Sequence, residues 1–213
     1  MRKSFFSFLI LISGMLLFTM ISNAYEITPE GEVLAKKFDA FDVEHNWLPT
    51  ERVYWLSGKK KESDLPGKTH CSAFVSAVCK KLDIEMLMPP EHSTNFLANA
   101  QCDWLDEKGP EYGWSEIKSP FDAQKLANNG TLVLVVFKAP RTSLHGHIAI
   151  VRPSDKTIEQ ISEEGPQIIQ AGMTNYNSTN VKNGFMHHKG AWIDAKKFKV
   201  RFFKYSDKAS KQK

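Results

Sequence analysis

Two uninterrupted apolar runs, Thr131 to Phe137 and Gly146 to Val151, constrain this chain more than any other feature. Both are rich in β-branched residues, which suit extended backbone. A strand with one face in water alternates apolar and polar residues. Neither run alternates, so both faces of each strand must be covered. Gln167 to Ala171 and Phe198 to Tyr205 read as a third and a fourth strand, and Thr157 to Ile161 as a further short one. The Asn-rich stretch after Gly172 reads as a long loop.

The N-terminal half has a different character. Thr28-Pro29 is a cap followed by proline at the first helical position. Val33, Leu34, Phe38 and Phe41 then recur near helical spacing, which predicts an amphipathic helix over 29–42. Residues 47–68 are irregular, with Pro49, Gly58, Pro66, Gly67 and a lysine run. Cys71 to Leu82 is a run of good helix formers, and Pro89-Pro90 bars its extension. Ser93 or Thr94 is placed to cap a helix from Asn95 to Leu105. Ser119-Pro120 and Gly130 bracket another helix over 120–128. Helices first and hairpin-linked strands second give an α+β domain, with a helix packed on an antiparallel sheet.

Residues 1–24 are read apart from the fold. Arg2 and Lys3 precede an apolar run from Phe5 to about Ile21, which ends at Ser22-Asn23-Ala24, the pattern of a signal peptide cut after Ala24. The expected location is therefore periplasmic or secreted. An uncleaved membrane anchor is the other reading of that run. The remaining 25–205 is expected to be one domain, followed by a Lys-rich tail over 206–213. The formal charge of +4 falls to +2 once Arg2 and Lys3 are removed. Near balance argues against nucleic acid as a partner, and the lysine runs read as solvated loop and tail. Three cysteines remain. Cys71 and Cys79 are eight positions apart on one predicted helix, about 12 Å at ~1.5 Å per residue, too far for a disulfide. The best pairing is Cys79 with Cys102, which leaves Cys71 free.

That free thiol opens a helix. A helix N-terminus carries unpaired N–H groups and partial positive charge, which favour thiolate and lower the thiol pKa. His147 begins the second apolar run, directly after Gly146, where a missing side chain leaves room for another backbone or a substrate. A helix-opening Cys followed by a strand-opening His is the arrangement of a nucleophile and its general base.

Thr69-His70-Cys71-Ser72-Ala73-Phe74-Val75 resembles the nucleophile motif of the NlpC-type cell-wall peptidases and the related CHAP amidases. Ala127 to Val133 followed by Gly146 to Val151 resembles the strand pair and Gly-His motif of the same families. The resemblance covers roughly 69–172, and the order of the motifs gives it specificity. Many members carry Asp before the Cys, where this chain has His70. The resemblance implies a papain-like α+β fold, with the catalytic helix on an antiparallel sheet. It also implies cleavage of amide bonds, usually in peptidoglycan peptides; separately, no cofactor and no metal is expected. A third polar residue is implied, one that accepts the His147 Nδ1 proton and orients the ring. Gln170, near the end of the next strand, is the choice; Asn175, Asn177 and Glu163 are its rivals.

Other features carry less. His145 and His147 could share one strand face as metal ligands, with Cys71 or His187 as a third. His187-His188 reads as a solvated loop pair. His70 could hold the thiolate or steer a substrate. Trp104, Trp114, Phe121 and Trp192 read as core or rim. The expectation is an exported cysteine hydrolase of peptidoglycan stem peptides. The alternatives are an effector or toxin amidase or deamidase of the same fold, or a non-catalytic envelope-binding protein. Whether an inhibitor or immunity protein exists is left open.

Overall fold

A computed structural model describes residues 24–63, 67–140 and 144–207. The apolar segment read as a signal peptide, apart from Ala24, and most of the lysine tail lie outside these residues. Three helices come first: α1 (Pro29–Asp39), α2 (Cys71–Lys81) and α3 (Leu97–Glu107). Strand β1 (Trp114–Ile117) and helix α4 (Pro120–Asn128) lead to β2 (Val133–Phe137) and β3 (His147–Val151). Then follow α5 (Ile158–Glu164), β4 (Gln167–Gln170), β5 (Tyr176–Asn180), α6 (Val181–Gly184), β6 (Trp192–Asp194), β7 (Lys197–Phe198) and β8 (Arg201–Tyr205). The six-stranded sheet runs β1-β8-β2-β3-β4-β5 with every pair antiparallel, and β6 and β7 form a separate hairpin. The chain is α+β.

Every residue of β2 and β3 is buried, as their unbroken apolar runs require. Leu134, Val136, Ile148, Ile150 and Ile169 point into one core with α1, α2 and α3. Val133, Val135, Ala149, Val151 and Ile168 point into the other, with α4, Val181, Phe185 and Trp192. The sheet is thus a middle layer. Helix α2 is buried from Cys71 through Cys79 and meets solvent only at Lys80-Lys81, the pattern of a helix enclosed on all sides. Gln101 of α3 ties it down, donating to Ser76 Oγ at 3.0 Å and to the Ser72 carbonyl at 3.4 Å.

Several expectations need correction. Thr157–Ile161 is no strand. The Thr157 hydroxyl accepts from Gln160 N at 3.2 Å and Gln160 Oε1 accepts from Thr157 N at 2.9 Å, a capping box that starts α5. The Asn-rich stretch is not all loop: 176–180 is β5 on β4, and Asn180 caps α6. Ser93 and Thr94 cap nothing; α3 starts at Leu97 after Phe96 at φ +54. The fourth strand divides, with Phe198 in the small hairpin and Arg201–Tyr205 in the main sheet. No disulfide joins Cys79 to Cys102, and all three cysteines are free and buried. Cys102 instead accepts from the Arg201 guanidinium at 3.8 Å.

Candidate active site

Arg152 N–H donates to Gln167 O at 2.9 Å, and the β3–β4 ladder continues through Val151–Ile168 and Ile150–Ile169 before stopping. Even-numbered β3 residues therefore aim their N–H groups at β4. The next one along, Ile148, has passed the end of the ladder, and its N–H lies near enough to Cys71 to pull the thiol pKa down. Helix α2 thus delivers the thiol to the place where β3 and β4 part. It arrives from one face of the sheet. His147 leaves β3 on the other face, where its ring meets Phe185 edge-on at 4.6 Å and stacks on His188 at 5.5 Å, 14° from parallel.

Gln170 projects onto the same face as His147. Its Nε2 donates to the Thr174 carbonyl at 3.1 Å, which fixes the amide so that Oε1 faces His147 Nε2 at 2.9 Å. Oε1 can only accept, so the neutral imidazole carries its proton on Nε2 and presents Nδ1 as its free base. The sequence reading put the orienting bond on Nδ1; the ring is held by the opposite nitrogen. Gly172 and Gly184 make the space. A Cβ on Gly172 would lie 3.4 Å from His147 Cε1, and one on Gly184 only 2.5 Å from Gln170 Oε1. The rivals do other work. Asn175 donates to the carbonyls of Val43, Asn46 and Trp47 and accepts from Gly172 N. Asn177 accepts from Val43 N, and the Glu163 carbonyl accepts from Trp192.

A cleft of about 820 Å³ opens here, lined by His147, Gly172 and His188 and by the residues flanking the thiol, His70, Ser72 and Ala73. Cys71 is 6 % exposed, His147 5 % and Gln170 3 %. Burial dominates the protonation of both Cys71 and His147. It pushes the Cys71 thiol up, outweighing the pull of the N–H groups of Ile148, Ser72 and Cys71 itself. It takes His147 down to about 4, against a smaller upward pull from Gln170. The thiolate expected from the helix start is therefore not the resting form. Burial thus favours the neutral form of both the thiol and the imidazole.

The remaining candidates separate. His145 lies before the strand and stacks face to face on Phe96 at 4.4 Å, so it does not share a strand face with His147. Among the described residues no three His, Cys, Asp or Glu side chains gather as a metal site. His70 binds the Glu51 carbonyl through Nε2 at 2.8 Å, tying the helix start to the preceding loop. Beside Gly146 lie the Asn99 side chain and the Phe137 carbonyl, so the missing side chain admits another backbone, one of the two expectations. His188 was read as solvated, yet it packs on His147 and on Phe137 and is also held to about 4, mainly by burial. Nothing in its local sequence signals that contact. No family model matches the chain, and no curated protein matches it.

Proposed function

We propose that this protein is an exported, papain-like cysteine hydrolase that cleaves amide bonds, with peptidoglycan stem peptides as its substrates. The observation that carries this reading is the buried bond from His147 Nε2 to Gln170 Oε1, which leaves Nδ1 unprotonated in a cleft flanked by a helix-opening cysteine. An α+β fold with that helix against an antiparallel sheet, and the order Cys, strand, Gly-His, then a polar side chain on the next strand, agree with it.

In this mechanism His147 Nδ1 takes the Cys71 proton as the sulfur attacks the substrate carbonyl carbon. The Cys71 backbone N–H stands at the helix start to stabilise the oxyanion. Collapse breaks the C–N bond, and the imidazolium returns its proton to the leaving amine. Water then attacks the thioester with His147 again as base, releasing the acid and the free thiol. Gln170 holds the ring while its charge changes. Digestion of purified peptidoglycan, with fragments weighed by mass spectrometry, tests the reading. New amine and acid ends are expected, absent with Cys71→Ser of unchanged fold. Full activity in Cys71→Ser overturns it.

A further inference from the structure

The cleft has two unlike walls. One carries histidines. The other carries Arg52, Lys61 and Lys68, and among the described residues that line the cleft there is no Asp or Glu. In a chain with 28 basic and 24 acidic residues, three cations at a cleft with no acidic lining residue among the described ones are a local excess. None of the three forms an ion pair among the described residues. The neighbouring Lys60 is neutralised by Glu51 at 2.9 Å.

The placement of two of them is unfavourable by itself. Val53 bridges to Lys60 in antiparallel fashion, and Lys61 N donates to Arg52 O at 2.8 Å. Arg52 and Lys61 therefore stand across from one another, and like charges in that position destabilise a ladder. Lys61 gains some offset from the Tyr54 ring, 4.7 Å below its ammonium. The wall is fixed. Gly67 N donates to Thr50 O at 2.6 Å, His70 holds the Glu51 carbonyl at 2.8 Å, and Trp47 Nε1 donates to Trp55 O at 2.9 Å. The same hydrogen bond from His70 attaches this wall to the start of α2.

We propose that Arg52 and Lys61, with Lys68 beside them, form a carboxylate-binding subsite, so that the substrate is a peptide amide bearing a free carboxylate on the α2 side of the bond that is cut. The reading rests on the hydrolase assignment for its scissile bond, but not for its anion. A ligand carboxylate between the opposed cations supplies a negative charge that no described lining residue provides. The guanidinium offers it two parallel donors, and cleft walls of low dielectric concentrate the field on an incoming anion.

The test uses two short peptides that differ only in a carboxylate or a carboxamide beside the susceptible amide. Turnover by the wild-type chain is expected to favour the carboxylate by about tenfold in kcat/KM, which is about 1.4 kcal/mol. The preference should shrink as salt rises from about 0.05 to about 0.5 M, where screening shortens the reach of the charges. It should vanish in the Arg52→Gln/Lys61→Gln double variant while the carboxamide is still cut. Binding of both peptides to Cys71→Ser, by calorimetry, separates the two assignments. Selective binding of the carboxylate without turnover in the wild type sinks the hydrolase and keeps the subsite. Turnover with equal kcat/KM for both peptides, or no binding of either, overturns the subsite.

Discussion

Replacing Gln170 by Leu keeps most of the side-chain volume and removes both of its hydrogen bonds. In the native protein Oε1 receives His147 Nε2 at 2.9 Å and Nε2 donates to Thr174 O at 3.1 Å, with the side chain 3 % exposed. Each buried partner left unmatched costs about 1–3 kcal/mol, so a stability loss of about 2–6 kcal/mol follows. The catalytic loss comes from a separate source. The bond to Gln170 strengthens when His147 becomes an imidazolium, and hydrogen bonds to charged groups are worth about 1.5–3 kcal/mol. If that gain arises only as the proton arrives, kcat falls by about 10- to 100-fold. Gln170→Glu retains the acceptor and adds a negative charge. It should recover most of kcat and move the acid limb of the pH–rate profile upward, because a neighbouring carboxylate raises the His147 pKa from about 4. The assay is steady-state hydrolysis from pH 4 to 8, with urea unfolding on the same samples. If Gln170→Leu loses stability yet keeps kcat within about twofold, or Gln170→Glu leaves the acid limb in place, Gln170 only packs the core and the argument fails.

Acid should destabilise the fold in a defined window. His147 has a folded pKa of about 4 against an ordinary 6.5, so between those values the unfolded chain binds a proton that the folded chain refuses. Stability is full above about pH 6.5, and His147 alone contributes a fall of about 3 kcal/mol as pH drops to about 4, to which His188 adds in the same direction. Urea midpoints should show that fall and show less of it in His147→Leu; equal falls in the two would refute the sign. Gly184→Ala places a methyl 2.5 Å from Gln170 Oε1 and 2.6 Å from Ile168 Cδ1. It should displace the amide and lower kcat about tenfold, roughly 1.4 kcal/mol, while the fold is retained; wild-type activity would mean that the amide has another place to go. Unfolded without reductant, the chain should yield three reactive thiols by alkylation and mass spectrometry. One thiol with a Cys79–Cys102 bridge would restore the pairing expected from sequence.

The central strands were legible because β2 and β3 are covered on both faces, and a covered strand must be apolar throughout. Helices α1 and α4 were legible from Thr28-Pro29 and Ser119-Pro120, whose caps act locally. Helix α5 was misread although its capping box, Thr157 to Gln160, was in plain view; the β-branched Thr157, Ile158 and Ile161 outweighed it. Strands β1 and β5 lie at the sheet edges and bury little more than Trp114 and Thr179, so no alternation marks them. Gln170 could be chosen because strand order predicts which side chain returns toward His147. The stacking of His188 depends on a contact across the fold and could not. The protonation of Cys71 failed for a related reason: the helix start is visible in the residues, whereas the burial that outweighs it belongs to the packed structure.

The order of the strands also says when the cleft first exists. During synthesis the helix that bears Cys71 is made long before β3, and the parting of β3 and β4 that receives its sulfur cannot form until β4 has emerged and paired. Gln170 arrives with that same strand, and Asn175, which joins Gly172 to the turn over 43–47, arrives later still. A nascent chain therefore displays its thiol before His147 is made, and His147 before the Gln170 that holds its ring. Most of the polypeptide must leave the ribosome before the three side chains can share one place, so under the proposed mechanism the chain would stay inert until then as a consequence of the order in which its strands are translated.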